Sequence, residues 1–145
     1  MKATYITQSP EETKALARNI LTQIPPGSVI ALTGDLGSGK TTFTQGVAAA
    51  LGVQDTVLSP TFKLISHYEG KETTLYHIDC YRLRSMDEFL NIGGEHYLLP
   101  EKGYTFIEWA DVIRDILPAD TIEITFQYHK SDPDARQITV ARSVT

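Results

Sequence analysis

Gly34-Asp35-Leu36-Gly37-Ser38-Gly39-Lys40-Thr41 decides how this chain is read, because it satisfies G-x-x-x-x-G-K-[ST] at every position. Glycines allow the backbone to wrap closely, so that successive N–H groups converge on phosphate oxygens. A helix starting near Lys40 would aim its free N–H groups and positive dipole end at the same charge. The Lys40 ammonium can neutralise β and γ oxygens, and the Thr41 hydroxyl can ligate Mg²⁺. Residues 34–42, which include Thr42, therefore form a candidate site for a nucleoside triphosphate.

The flanks supply the context this motif needs. Before it, SVIALTG is a β-branched apolar run that predicts a buried central strand. After it, Phe43, Val47 and Leu51 fall on one helical face. Toward the N-terminus, residues 3–7 predict a strand. Ser9, Pro10 and Glu12 then open a helix with a capping box, and Pro25-Pro26-Gly27 closes it. Toward the C-terminus, the reading is strand and loop over 57–67, a turn at YEGKET, a strand at TTLYHID and a short helix at SMDEFL. Residues 91–103 read mostly as loop. YTFIEW is a strand, with Asp111 capping a brief helix from Val112 to Leu117. Alternation over Ile122–Tyr128 and Arg136–Arg142, with a KSDPD turn between, predicts an antiparallel hairpin. The expected fold is α/β in three layers, with a mixed sheet that is parallel in the middle and antiparallel toward the end.

At 145 residues a single domain over 1–145 is expected. A chain of that size buries about 68% of its extended surface. With 41% apolar and 21% charged residues, disorder is disfavoured. Thirteen basic against 18 acidic residues give a charge of −5 and no long basic block, so a direct grip on nucleic acid is not expected. One cysteine excludes an internal disulfide, and no apolar run nears the roughly 20 residues that span a bilayer. MKATYITQSPEE does not read as a secretory signal, so a cytoplasmic location is expected.

Two predicted strands end in an acid, Leu75-Tyr76-His77-Ile78-Asp79 and Tyr104-Thr105-Phe106-Ile107-Glu108. In a parallel sheet, ligand chemistry gathers at the C-terminal strand edges. Mg²⁺ needs oxygen ligands and a water must be aimed at the γ-phosphate, so Asp79 and Glu108 join Lys40 as candidate catalytic residues and Thr41 as metal ligands. Glu108 fits an acid that contacts Mg²⁺ through water. Asp79 has two open roles, sharing the ion or positioning the water. Asp35, inside the loop, would repel phosphate if it pointed inward, so it is expected to face outward or to order the loop. Ser59 and Thr61 of SPTF are switch candidates, and Trp109 is either core packing or part of a partner surface. Arg82 is a candidate for phosphate, partner or solvent. His67, His77 and Cys80 match no zinc spacing, and there is no nucleophile elbow for a serine hydrolase.

Three nucleotide classes meet these constraints unequally. A small GTPase would carry Asn-Lys-x-Asp, which is missing. A small-molecule kinase, the alternative retained here, would need a basic lid, and residues 91–103 offer one Lys and no Arg. A nucleotide-driven assembly factor needs only a switch and a docking face.

GDLGSGKTTFTQG, SPTF, HIDCYRL and IEWAD, in that order, resemble the TsaE (YjeE) family of bacterial ATPases, within the P-loop NTPase superfamily. The resemblance runs from about Ser9 to the final hairpin. It implies a P-loop NTPase-like fold and weak Mg²⁺-dependent ATP hydrolysis. It also implies action with the threonylcarbamoyl transferase TsaD and its partner TsaB in making tRNA N6-threonylcarbamoyladenosine, resetting the transferase between turnovers, with tRNA reached through that complex. By the same resemblance, Lys40 and Thr41 match the phosphate lysine and magnesium hydroxyl, and Thr61 the switch threonine. Asp79 matches the aspartate needed for hydrolysis, Glu108 the magnesium-linked glutamate, and Trp109 the tryptophan beside it. Ser38, Cys80 and Asp111 stand where Ala, Leu and Glu are common in the family.

Overall fold

The computed structural model describes residues 2–35, 37–58 and 64–142. Strands β1 (Lys2–Thr7), β2 (Val29–Gly34), β3 (Ile65–Glu69), β4 (Thr74–Asp79), β5 (Tyr104–Glu108), β6 (Ile122–His129) and β7 (Asp132–Ala141) form one sheet among the described residues. Their order is β1-β7-β6-β2-β5-β4-β3. The four inner strands β6, β2, β5 and β4 run parallel. Antiparallel pairs β1–β7, β6–β7 and β3–β4 complete the two sides. Mixed pairing and P-loop NTPase-like architecture match the expectation.

Alternation along the inner strands separates two cores. Ile30, Leu32, Leu75, Phe106, Ile124 and Phe126 face helices α1 (Pro10–Leu21) and α2 (Lys40–Ala50), which contribute Ala17, Ile20, Phe43 and Val47. Val29, Ala31, Ile78 and Ile107 face the other way, against Phe89 of α3 (Met86–Asn91) and two 3-10 helices, Gly94–Leu98 and Ala110–Ile116. The result is three layers with the sheet between.

Helix α1 starts where its capping signals lie. The Ser9 hydroxyl accepts from Glu12 N at 3.1 Å, and the Glu12 carboxylate accepts from Gln8 N at 3.2 Å. Helix α2 is anchored by Phe43, whose ring meets Phe126 edge-on at 5.6 Å and lies 6.5 Å from Phe106. Truncating such a side chain to Ala removes about 3–5 kcal/mol. Gly46 lets α1 approach, since a Cβ there would come within 2.7 Å of Lys14 Cα.

Two local expectations are corrected, those for Asp111 and for the final turn. Asp111 does not cap a helix. The 3-10 helix begins at Ala110, and Asp111 sits within it, paired with Arg114 at 2.8 Å and exposed. Residues 91–103 are mostly turn and loop, as expected, with one short helical stretch, Gly94–Leu98, from which Leu98 packs into the second core. Gly94 permits this, as a Cβ there would strike the Phe89 ring at 2.5 Å. The final turn is shorter than KSDPD, with β7 starting at Asp132.

Candidate functional site

Parallel pairing brings the sequence-distant candidates to one edge. Leu32 of β2 is in register with Glu108 of β5, and Glu108 with Asp79 of β4. The phosphate loop leaves β2 at Gly34, so loop and acids lie together at the C-terminal ends of three neighbouring strands. Side-chain alternation turns Glu108 and Asp79 to the same face as Leu32, Phe106 and Leu75, the face on which α2 packs. Both acids are buried, each 3% exposed.

Two glycines of the loop, Gly34 and Gly39, hold backbone that other residues would strain to adopt. Gly34, with φ 152°, approaches β6 so closely that a Cβ would fall 2.6 Å from the Phe126 carbonyl oxygen. Gly39, in the left-handed region, precedes α2, and no side chain caps the helix. The first N–H groups of α2 are thus left for a ligand. Asp35 is exposed, and its carbonyl accepts from Ser38 N at 3.1 Å. Leu36 lies outside the described residues, as do Ser59 and Thr61.

Lys40 is 4% exposed and donates from Nζ to the Gly34 carbonyl. Its ammonium also lies 4.2 Å from the centre of the Trp109 ring, a cation–π contact. Burial lowers its pKa, opposed in turn by Glu108, Asp79 and Asp35. Trp109 adopts left-handed backbone, φ 57° and ψ 46°. That conformation is strained for a residue with a Cβ, and it ends β5 abruptly beside the lysine. The indole also packs on Tyr81, centroids 5.0 Å apart, and is partly buried against the second core, so it serves packing while touching Lys40. Arg82, next to Tyr81, is exposed.

Glu108 Oε2 accepts from the Thr41 hydroxyl at 3.4 Å and lies 2.7 Å from His77 Nε2. Asp79 Oδ1 accepts from Tyr81 N at 2.9 Å. The strand register is carried past Asp79 by Asp79 N donating to Leu64 O and Cys80 N to Glu108 O. His77 was not singled out in sequence as part of this site, although its placement two residues before Asp79 puts it on the same strand face.

A cavity of about 400 Å³ opens over the loop, a size usual for small-molecule sites. Gly37, Gly39, Lys40, Thr41, Thr42 and Glu108 line it, together with Ser9, Pro10 and Thr13 at the start of α1 and Asp134 and Arg136 of β7. Arg136 lies over the Tyr128 ring at 4.3 Å. No spacing rule marks Asp134 or Arg136 in sequence, because the pairing of β7 with β6 and β1 carries them there.

The donor set suits Mg²⁺ carried on a nucleotide. Thr41, Glu108 and Asp79 offer hard oxygens. Among the described residues no group of three or more His, Cys, Asp or Glu could hold a metal unaided, and Mg²⁺ in such sites takes one or two carboxylates plus substrate phosphates. Residues 91–103 do not cover this site. Gly103 O accepts from Gly27 N, and Gly103 N bonds Pro100 O, at the start of the parallel strands, the end opposite the phosphate loop. No helix of the described residues is long and apolar enough to cross a membrane.

The family model for "Threonylcarbamoyl adenosine biosynthesis protein TsaE" matches residues 7–138. A Bacillus subtilis (strain 168) protein, "tRNA threonylcarbamoyladenosine biosynthesis protein TsaE", is 41% identical over 133 residues, 92% of this chain and 81% of that one. The Treponema pallidum (strain Nichols) protein of the same name is 37% identical over 136 residues, 94% of this chain and 98% of its own. The crystal structure of Bacillus subtilis YdiB superposes with a TM-score of 0.79 at 35% identity, covering 99% of this chain and 87% of that chain.

Proposed function

The chain belongs to the TsaE family, and on that premise we propose that it is a Mg²⁺-dependent ATPase of tRNA N6-threonylcarbamoyladenosine synthesis. It hydrolyses ATP with water to ADP and phosphate, and it acts with the TsaD–TsaB transferase pair, resetting that pair between turnovers. The observation that carries this reading is the convergence of Lys40, Thr41, Asp79 and Glu108 at one sheet edge, beside a cavity of about 400 Å³.

Backbone N–H groups of residues 34–42 bind the phosphate chain, and the α2 dipole favours its charge. Lys40 leaves the Gly34 carbonyl and the Trp109 face to neutralise β and γ oxygens. Ser9, Pro10, Thr13, Asp134 and Arg136 wall the nucleoside end. Thr41 and Glu108 would hold Mg²⁺, which would supply positive charge against the phosphates, and Asp79 would share that task or position the attacking water. This chain supplies the phosphate site, and partners supply activation. Docking of the partners, with Ser59, Thr61, Trp109 and Arg82 as the candidate contacts, orders the γ-phosphate end and excludes bulk water, which couples hydrolysis to turnover of the complex. The net charge of −5 leaves tRNA to those partners.

The fate of the γ-phosphate tests the reading against a small-molecule kinase. With γ-labelled ATP, label is expected in inorganic phosphate. Label transferred to a metabolite overturns hydrolysis as the function. A lid from residues 91–103 is disfavoured because none of them lines the cavity and Pro100 and Gly103 lie at the other end of the strands.

A further inference from the structure

His77 is fully buried in β4, and it spends its one side-chain hydrogen bond among the described residues on Glu108 Oε2, at 2.7 Å. An ionised carboxylate only accepts, so Nε2 is the donor. A lone pair on Nε2 at that distance would repel the oxygen instead. Nδ1 is buried without a hydrogen-bond partner among the described residues, so the ring is held through Nε2 alone.

This polar group is expensive for the core. Leu75, two residues earlier on the same face, fills its place with apolar atoms alone and is equally buried. A leucine at 77 would spare the orphaned nitrogen, so packing does not explain a histidine. Its one polar contact does. Oε2 of Glu108 is the atom that also receives the Thr41 hydroxyl, while Oε1 makes no hydrogen bond among the described residues.

We infer that His77 is a positioning residue for the ATPase site, holding the Glu108 carboxylate beside Thr41 through Nε2–H and leaving Oε1 for the metal end of the nucleotide. The inference rests on the ATPase reading above. Its rigidity comes from β4, which is paired on both sides, Ser66 with His77 and His77 with Phe106. Partners of metal-binding carboxylates of this kind change metal affinity or activity by about 10–100-fold when removed.

The test compares His77→Leu, His77→Asn and His77→Gln in the full chain. Glutamine can place an amide N–H near the Nε2 position; asparagine is too short to do so. ATP binding is titrated calorimetrically with and without Mg²⁺, turnover is measured across Mg²⁺ concentrations, and melting curves report folding. His77→Leu and His77→Asn are expected to bind metal-free ATP as the parent does, yet to need about 10–100-fold more Mg²⁺, with kcat reduced. His77→Gln is expected to recover most of both. A folded His77→Leu protein with unchanged Mg²⁺ dependence overturns the inference, as does glutamine performing no better than asparagine. If leucine does not fold, the asparagine–glutamine comparison decides. A parent chain that binds no ATP overturns the ATPase reading and this role together, a result visible without any variant.

Discussion

Lys40 Nζ lies 4.2 Å from the centre of the Trp109 indole while it donates to the Gly34 carbonyl. The lysine is thereby held against the start of the loop by two weak contacts. The cation–π contact is worth about 1–2 kcal/mol, and on the proposed reading the phosphate oxygens of ATP would replace both partners with stronger, charge-assisted bonds.

Trp109 is the chain's sole tryptophan, so its emission reports on Lys40 directly. Adding ATP with Mg²⁺ is expected to change indole fluorescence saturably, as the ammonium leaves the ring. Lys40→Ala should alter the ligand-free spectrum and remove most of the ATP response. An unchanged response in that variant would place the probe's sensitivity elsewhere.

The two acids should separate binding from turnover. Asp79→Ala is expected to slow hydrolysis by about 100-fold or more, the range for a lost proton-transfer or water-positioning group, with ATP affinity within a few-fold. Glu108→Ala should lose turnover and Mg²⁺ dependence together. Parallel loss of ATP binding and turnover in Asp79→Ala would give Asp79 a ligand-holding role instead.

Cys80 yields a stability prediction with a definite sign. Burial, aided by Asp79, pushes its thiol up to about 12 from 9.0. A group whose folded value is raised contributes fully below the unfolded value, and its contribution is lost as pH rises toward the folded one. Stability should therefore fall between pH 9 and about 12, by about 1.4 kcal/mol per unit. Denaturant melts at about pH 8 and about pH 10 check this against Cys80→Ala, whose pH slope should be shallower. In the folded protein at about pH 8 the thiol should resist alkylation. Rapid modification without unfolding would contradict its burial.

Where local chemistry decides structure, the sequence is legible. Gly34 to Thr41 announces the loop because few other residues could make that turn, and Ser9 and Ser85 announce their helices through side-chain caps. Asp79 and Glu108 are readable because each ends an apolar strand. Tertiary packing hides the rest. Asp111 looks like a cap, but Trp109 turns left-handed and starts the 3-10 helix earlier. Gly93 and Gly94 look like loop residues, but Leu98 finds a core to enter. Arg136 and Asp134 reach the cavity only through strand pairing, and His77 meets Glu108 only because β4 and β5 run parallel in that register.

Phosphate release from ATP by the purified chain, alone and with the TsaD–TsaB pair, tests the central claim most directly. Slow Mg²⁺-dependent release that rises when the pair is added, and that Lys40→Ala reduces by about 100-fold or more, is the expected result. Full activity in isolation, or a rate the pair leaves unchanged, would contradict it.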